Sequence, residues 1–125
     1  MGAKDPALEQ EILKFLRRSG YSVTAPKLVV GRSGSNEKFD ISAAKGDEEI
    51  LFDITSAPIV GSEQVVAFVA KTFETRPKRP ILICVPALNH DAKSLVAMYK
   101  IETVTAKDTQ GVLTSLSEIL APRKN

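Results

Sequence analysis

Two short segments, Phe39-Asp40-Ile41 and Phe52-Asp53-Ile54, each set one carboxylate between large apolar residues. They fall in Lys38–Ala44 and Glu49–Thr55, two strand-like runs joined by Lys45-Gly46-Asp47-Glu48, a hairpin signature. Strand side chains alternate, so Asp40 and Ser42 are expected on one face and Phe39 and Ile41 on the other. On the partner strand Leu51, Asp53 and Thr55 share a face opposite Ile50, Phe52 and Ile54. A carboxylate in a strand centre is costly unless it is hydrogen-bonded or bound to a cation. Two on paired strands have the makings of a Mg²⁺ site, since that ion favours one or two carboxylates plus waters and phosphate oxygens. The competing reading leaves both acids facing solvent on a half-exposed hairpin.

The rest of the chain supplies elements that can hold such a hairpin. Leu8, Ile12, Phe15 and Leu16 recur at helical spacing until Gly20, predicting an amphipathic helix over residues ~6–19 with Pro6 in its first turn. Tyr21–Val30 reads as one strand, bent or at an edge because of Pro26, and residues 31–36 read as a polar loop. Ser56–Val60 reads as a loop, after which Ser62 can cap a helix carrying Val65, Val66, Phe68, Val69 and Phe73. Arg76-Pro77-Lys78-Arg79-Pro80 is a basic turn, and Ile81–Val85 a strand covered on both faces. Asn89 caps a helix to about Tyr99, Glu102–Ala106 is a short strand, and Asp108 caps a last helix. The order α-β-β-β-α-β-α-β-α predicts one α/β domain over residues 1–125, an α/β/α sandwich on a mixed central sheet.

Composition narrows the functional classes. The chain has 125 residues, 43% hydrophobic and 26% charged, which excludes a disordered tail or a small disulfide scaffold. Seventeen Lys and Arg against fifteen Asp and Glu leave +2, a balance that neither demands nor opposes a nucleic-acid partner. The single cysteine, Cys84, cannot form an internal disulfide, which suits a reducing cytoplasm and reads as a small buried hydrophobe. Apolar runs such as Ile81–Val85 are far short of the ~20 residues that span a bilayer, and residues 1–6 lack the apolar core of a signal peptide. His90 is the only histidine, so a zinc site is not expected, and neither a phosphate-binding P-loop nor a nucleophile elbow is present.

Glu9 in the first helix, Gly20-Tyr21 at its end, Gly31-Arg32-Ser33-Gly34, and the two Phe-Asp-Ile segments together resemble the PD-(D/E)xK nuclease superfamily. Mrr-type restriction endonucleases and archaeal Holliday junction resolvases are the nearest branch. The match covers residues ~8–73, and the later β-α-β-α order also suits a restriction-endonuclease-like fold. The resemblance implies a cytoplasmic homodimer acting on double-stranded or branched DNA with Mg²⁺ or Mn²⁺. It puts the helix glutamate on Glu9, the metal-binding acids on Asp40 and Asp53, and the carbonyl that completes the metal cage on Ile54. Gln64 matches a polar position at the start of the following helix.

One departure bears on catalysis. Two residues after the second acid the family carries a lysine that is thought to position the attacking water, and here the residue is Thr55. A hydroxyl can hydrogen-bond water but brings no charge, and losing one such group commonly costs ~10²–10³ in rate. Cleavage is therefore expected to be weak unless another cation serves. Some members supply the lysine from the next helix, and Lys71, seven residues beyond Gln64, shares its helix face. The competing reading of Lys71 is a solvated surface lysine, and that of the whole chain a nuclease-fold module that binds or assembles without cutting. Arg32 with Ser33, Gly34 and Ser35 offers a cation and exposed N–H groups suited to phosphate. Arg76, Lys78 and Arg79 could grip the same backbone.

Overall fold

The computed structural model describes residues 5–121. Its elements run α1 (Pro6–Arg18), β1 (Ser22–Thr24), β2 (Lys27–Val30), β3 (Asn36–Phe39), β4 (Ile41–Lys45), β5 (Glu48–Ser56), α2 (Ser62–Thr75), β6 (Arg79–Val85), α3 (His90–Tyr99), β7 (Glu102–Thr105) and α4 (Thr109–Ile119). Five strands form one mixed sheet in the order β1-β4-β5-β6-β7, while β2 and β3 pair separately as a two-stranded ribbon. The β1, β4 and β5 neighbours are antiparallel, and β5, β6 and β7 are parallel, as helical crossovers require.

Helices cover both faces of the sheet. Leu8, Ile12, Leu13 and Leu16 of α1, with Val112 and Leu116 of α4, pack on Ile41, Ile50, Phe52, Ile81 and Ile83. Val65, Phe68 and Val69 of α2 pack on Leu51, Leu82 and Cys84 of the other face. Burial of Cys84 pushes its thiol up to about 12, so it behaves as a core residue. The helix starts follow the sequence closely. Asp5 accepts from the N–H groups of Ala7 and Leu8, Asn89 from Ala92, and Asp108 from Gly111. Between β4 and β5 the two-residue turn Gly46-Asp47 needs the left-handed φ of +61° that Gly46 adopts.

Several expectations are corrected by long-range pairing. Tyr21–Val30 is not one strand: β1 pairs with β4 in the main sheet, whereas β2, beyond Pro26, pairs with β3 in the ribbon. Lys38–Ala44 likewise divides at Asp40 into β3 and β4, so two more strands precede α2 than the order α-β-β-β-α-β-α-β-α provides. The division breaks the expected alternation. Phe39 packs in the α2 layer and Ile41 in the α1 layer, although both were expected on one face. Ser62 is the first residue of α2 and not its cap; Gly61 holds that place, with the Gln64 side chain accepting its N–H at 3.0 Å. Arg79 and Pro80 belong to β6 and not to the preceding turn.

Candidate active site

Asp40 sits where the chain passes from the ribbon into the main sheet, and there the β4–β5 register brings it opposite Asp53. Each residue hydrogen-bonds backbone next to the other. The Asp40 N–H donates to Asp53 Oδ1 at 3.1 Å, and the Ile54 N–H donates to Asp40 Oδ2 at 2.8 Å. The chain's change of sheet leaves the Asp40 amide available for this contact. The two acids are thus brought together on one cleft, the first of the two readings the hairpin pattern left open, and Asp40 is buried at 7% exposure.

The cleft has a volume of about 310 Å³ and opens between the β5 edge of the Asp pair and α2. Its walls include Asp40, Asp53, Ile54, Thr55, Gln64 and Lys71. Gln64 and Lys71 share the cleft face of α2, as their seven-residue spacing predicts. Lys71 is no solvated surface lysine. Its ammonium forms an ion pair with Asp53 Oδ2, donates to the Lys38 carbonyl at 2.6 Å, and lies 4.6 Å from the centre of the Phe39 ring. Burial pushes the Asp53 carboxyl above its ordinary range, opposed by the hydrogen bond and charge of Lys71 and reinforced by the negative charge of Asp40. Burial wins. Asp53 is therefore a carboxylate whose loss of water exceeds what one lysine returns.

Glu9 lies on the other side of Asp40. With Asp5, Pro6 and Ile54 it lines a hollow of about 100 Å³ that Asp40 also borders. Asp40 therefore faces both spaces. Among the described residues no three His, Cys, Asp or Glu side chains converge as a metal-binding group. The donor set nonetheless suits a hard cation that keeps most of its waters, since two carboxylates and the Ile54 carbonyl suffice for Mg²⁺.

The basic segments separate. Arg79 forms a two-pronged salt bridge with Glu102, from Nε at 3.0 Å and Nη2 at 2.8 Å, and also donates to the Ile119 carbonyl. It ties β6 to β7 and the end of α4, so its guanidinium, though partly exposed, is already engaged and does not stand with Arg76 and Lys78 as the basic turn implied. The Gly31–Asn36 loop holds an anion already, and that anion is Glu74. The Ser33 N–H donates to its carboxylate at 3.0 Å and the Ser35 hydroxyl at 3.3 Å, which holds Glu74 below its usual range. A Cβ at Gly31 would meet the Glu74 carboxylate and the Ser35 hydroxyl, so a larger residue there would displace this contact. Arg32, Gly34, Arg76 and Lys78 remain exposed.

Sequence reasoning missed the seat of Lys71, formed by the Lys38 carbonyl and the Phe39 ring, and the hold of Glu74 on the loop. Phe39 was readable as apolar, but its ring serves both the core and the lysine.

Neither a family model nor a curated protein matches the chain. Solved structures do, among them the crystal structure of AF1548, described as a protein of unknown function. It is similar over 94% of this chain and 72% of its own, with a TM-score of 0.67 at 15% identity. At that identity the likeness concerns the α/β fold alone.

Proposed function

We propose that this chain is a DNA phosphodiesterase of the PD-(D/E)xK, restriction-endonuclease-like type in which Lys71 supplies the charge that Thr55 lacks. The observation that carries the reading is the ion pair of Lys71 with Asp53 inside the cleft that Asp40 also lines. An ammonium fixed beside the second acid is what the sequence pattern omits at position 55, and α2 delivers it from the opposite wall. Asp40, Asp53 and the Ile54 carbonyl would hold Mg²⁺ or Mn²⁺, which supplies a low-pKa water and shields the phosphate charge. Lys71 orients a water near Asp53 and offsets charge gathering on the phosphoryl oxygens. The Gln64 oxygen is committed to the Gly61 amide, which leaves its NH₂ group to donate into the cleft. Thr55 adds a hydroxyl that can hydrogen-bond the same water. Arg32, Arg76 and Lys78 give the DNA backbone exposed cations, so binding should weaken steeply with salt.

The test is cleavage of linear, nicked and branched DNA in Mg²⁺ and Mn²⁺. The wild type should cut, Asp53→Asn should not, and Lys71→Ala should lose about 10²–10³ in rate. Cleavage unchanged by Lys71→Ala would refute the role given to this lysine. Salt-sensitive DNA binding with no cleavage by any form would replace the reading with a non-catalytic module of the same fold.

A further inference from the structure

The two edges of the β2–β3 ribbon differ. At the β3 edge the Lys38 carbonyl accepts Lys71. At the β2 edge the Gly31 N–H donates to the Ser35 carbonyl at 2.7 Å, which sets the parity of the ladder. Lys27 and Val29 therefore bond to Phe39 and Glu37, while the N–H and C=O groups of Leu28 and Val30 turn outward. Among the described residues no main-chain group outside the ribbon meets them. The next outward donor, the Arg32 N–H, is already met, by the Glu74 carbonyl at 2.9 Å. Beside the open stretch runs a groove of about 540 Å³, lined by all four residues of β2, by Glu49 and Leu51 of β5, and by residues 75–78, where α2 passes into β6. Edge strands are commonly blunted by lysine or proline. Here Pro26 precedes β2, but Lys27 is drawn down to Glu49 at 3.5 Å, and Leu28 and Val30 stand 71% and 69% exposed. The edge is left open.

We propose that an extended, acidic peptide segment of another protein adds to β2 as a third strand of the ribbon. Its main chain meets the outward groups of Leu28 and Val30, as strand addition to an open edge does. At ~3.3 Å per residue, β2 admits roughly four residues of such a guest. The edge offers donors and acceptors alternately, which a peptide answers in kind and a phosphate backbone, carrying acceptors alone, does not. Charge then selects among peptides. Glu49 is spent on Lys27 and on the Ser42 hydroxyl, which donates to it at 2.7 Å. Arg76 and Lys78 are exposed and, among the described residues, have no ion-pair partner, so Asp47 alone opposes them in the groove. Alternate guest residues stand beside Leu28 and Val30, where β-branched side chains suit. The residues between them turn into the groove, where carboxylates reach the two cations. The functional reading gives Arg76 and Lys78 to the DNA backbone, so where it holds the guest and DNA exclude each other. The strand site itself does not rest on that reading.

The probe is an end-capped peptide of alternating valine and glutamate, titrated into the isotope-labelled full chain up to about 5 mM, where even weak sites fill. The amide signals of Leu28 and Val30 should shift along a saturable curve. Their exchange with solvent should slow at least about tenfold at saturation. Two further peptides, N-methylated at one or the other alternate set of residues, keep the composition and charge. One should bind at least about tenfold more weakly, having lost the hydrogen bonds to β2, and the other should bind as before. Lysine in place of glutamate should weaken the peptide about fivefold or more, and Lys78→Glu should weaken the glutamate peptide by a similar factor. Lys78 is exposed, so circular dichroism should show the variant folded. No saturable shift at Leu28 and Val30 would overturn the proposal. So would equal binding of both N-methylated forms, a preference for the lysine peptide, or a short DNA duplex that protects these two amides where the peptide does not. None of these outcomes depends on whether DNA is cut.

Discussion

Two acid–base pairs border the same sheet, one joining two strands and one joining β5 to α2, and they differ in what surrounds them. At one end Arg79 and Glu102 meet with two hydrogen bonds, about one-third exposed, and Arg79 spends a further donor on the last turn of α4. The hydrogen bonds and charge of Glu102 lift the Arg79 guanidinium above its ordinary range. In the cleft Lys71 and Asp53 are less exposed, at 17% and 14%, and the acid is left with its carboxyl pushed up by burial. The first pair is complete in itself; the second lines an open space. A carboxylate that remains under-compensated beside a cleft is where a cation or a charged substrate gains most, which is why the cleft, and not the more regular salt bridge, is read as the site.

That contrast can be broken by moving the cation. In a Lys71→Ala background, Thr55→Lys returns an ammonium to the cleft from β5, since Thr55 lies on the face of Asp53. It should recover about tenfold or more of the lost cleavage, measured on whichever DNA the wild type cuts best. No recovery would mean that the α2 seat, and not the charge alone, is required. At the other pair Arg79→Ala should leave cleavage unchanged and cost about 1–2 kcal/mol in urea unfolding, a value kept small by exposure. A fall in cleavage beyond that of stability would contradict the division of labour.

The smallest effect concerns pH. Because the folded chain raises the Asp53 carboxyl, the native state binds its proton more tightly than the unfolded chain does. Stability contributed by this group is therefore present at low pH and falls as pH rises from about 4 through the raised value. Asp53→Asn should flatten that part of the profile of melting temperature against pH. Arg79→Ala should not. An Asp53→Asn profile parallel to the wild type would show that Lys71 compensates the acid fully.

Much of this was legible in the sequence because it is local. Helical periodicity, the Asn89 and Asp108 caps and the Gly46-Asp47 turn all depend on residues within one or two turns of each other. The pairing of Asp40 with Asp53 followed from a short hairpin, and the shared face of Gln64 and Lys71 from helix geometry. The break at Asp40 was not legible, since Phe39-Asp40-Ile41 alternates as an unbroken strand would, and only the pairing of β3 with β2 diverts Phe39 to the other layer. Arg79 read as a free cation because Glu102, which claims it, lies across a helix and a strand crossover. Glu74 similarly reaches the Ser33–Ser35 loop from the far end of α2.

The passage of the chain through Asp40 also decides where length can vary. Asp40 is held by β5, through the Asp53 carboxylate and the Ile54 amide. One residue inserted in β4 would turn Ile41 and Ala43 out of the core and slide the acid off its partner. A residue added between Val30 and Asn36 leaves that register alone, because β2 and β3 pair with each other, but it breaks the hold of Glu74 on Ser33 and Ser35. The ribbon is thus an arm secured at both ends, by β5 at its root and by α2 at its tip. A change of length there would loosen the tip while the carboxylate at the root keeps its place.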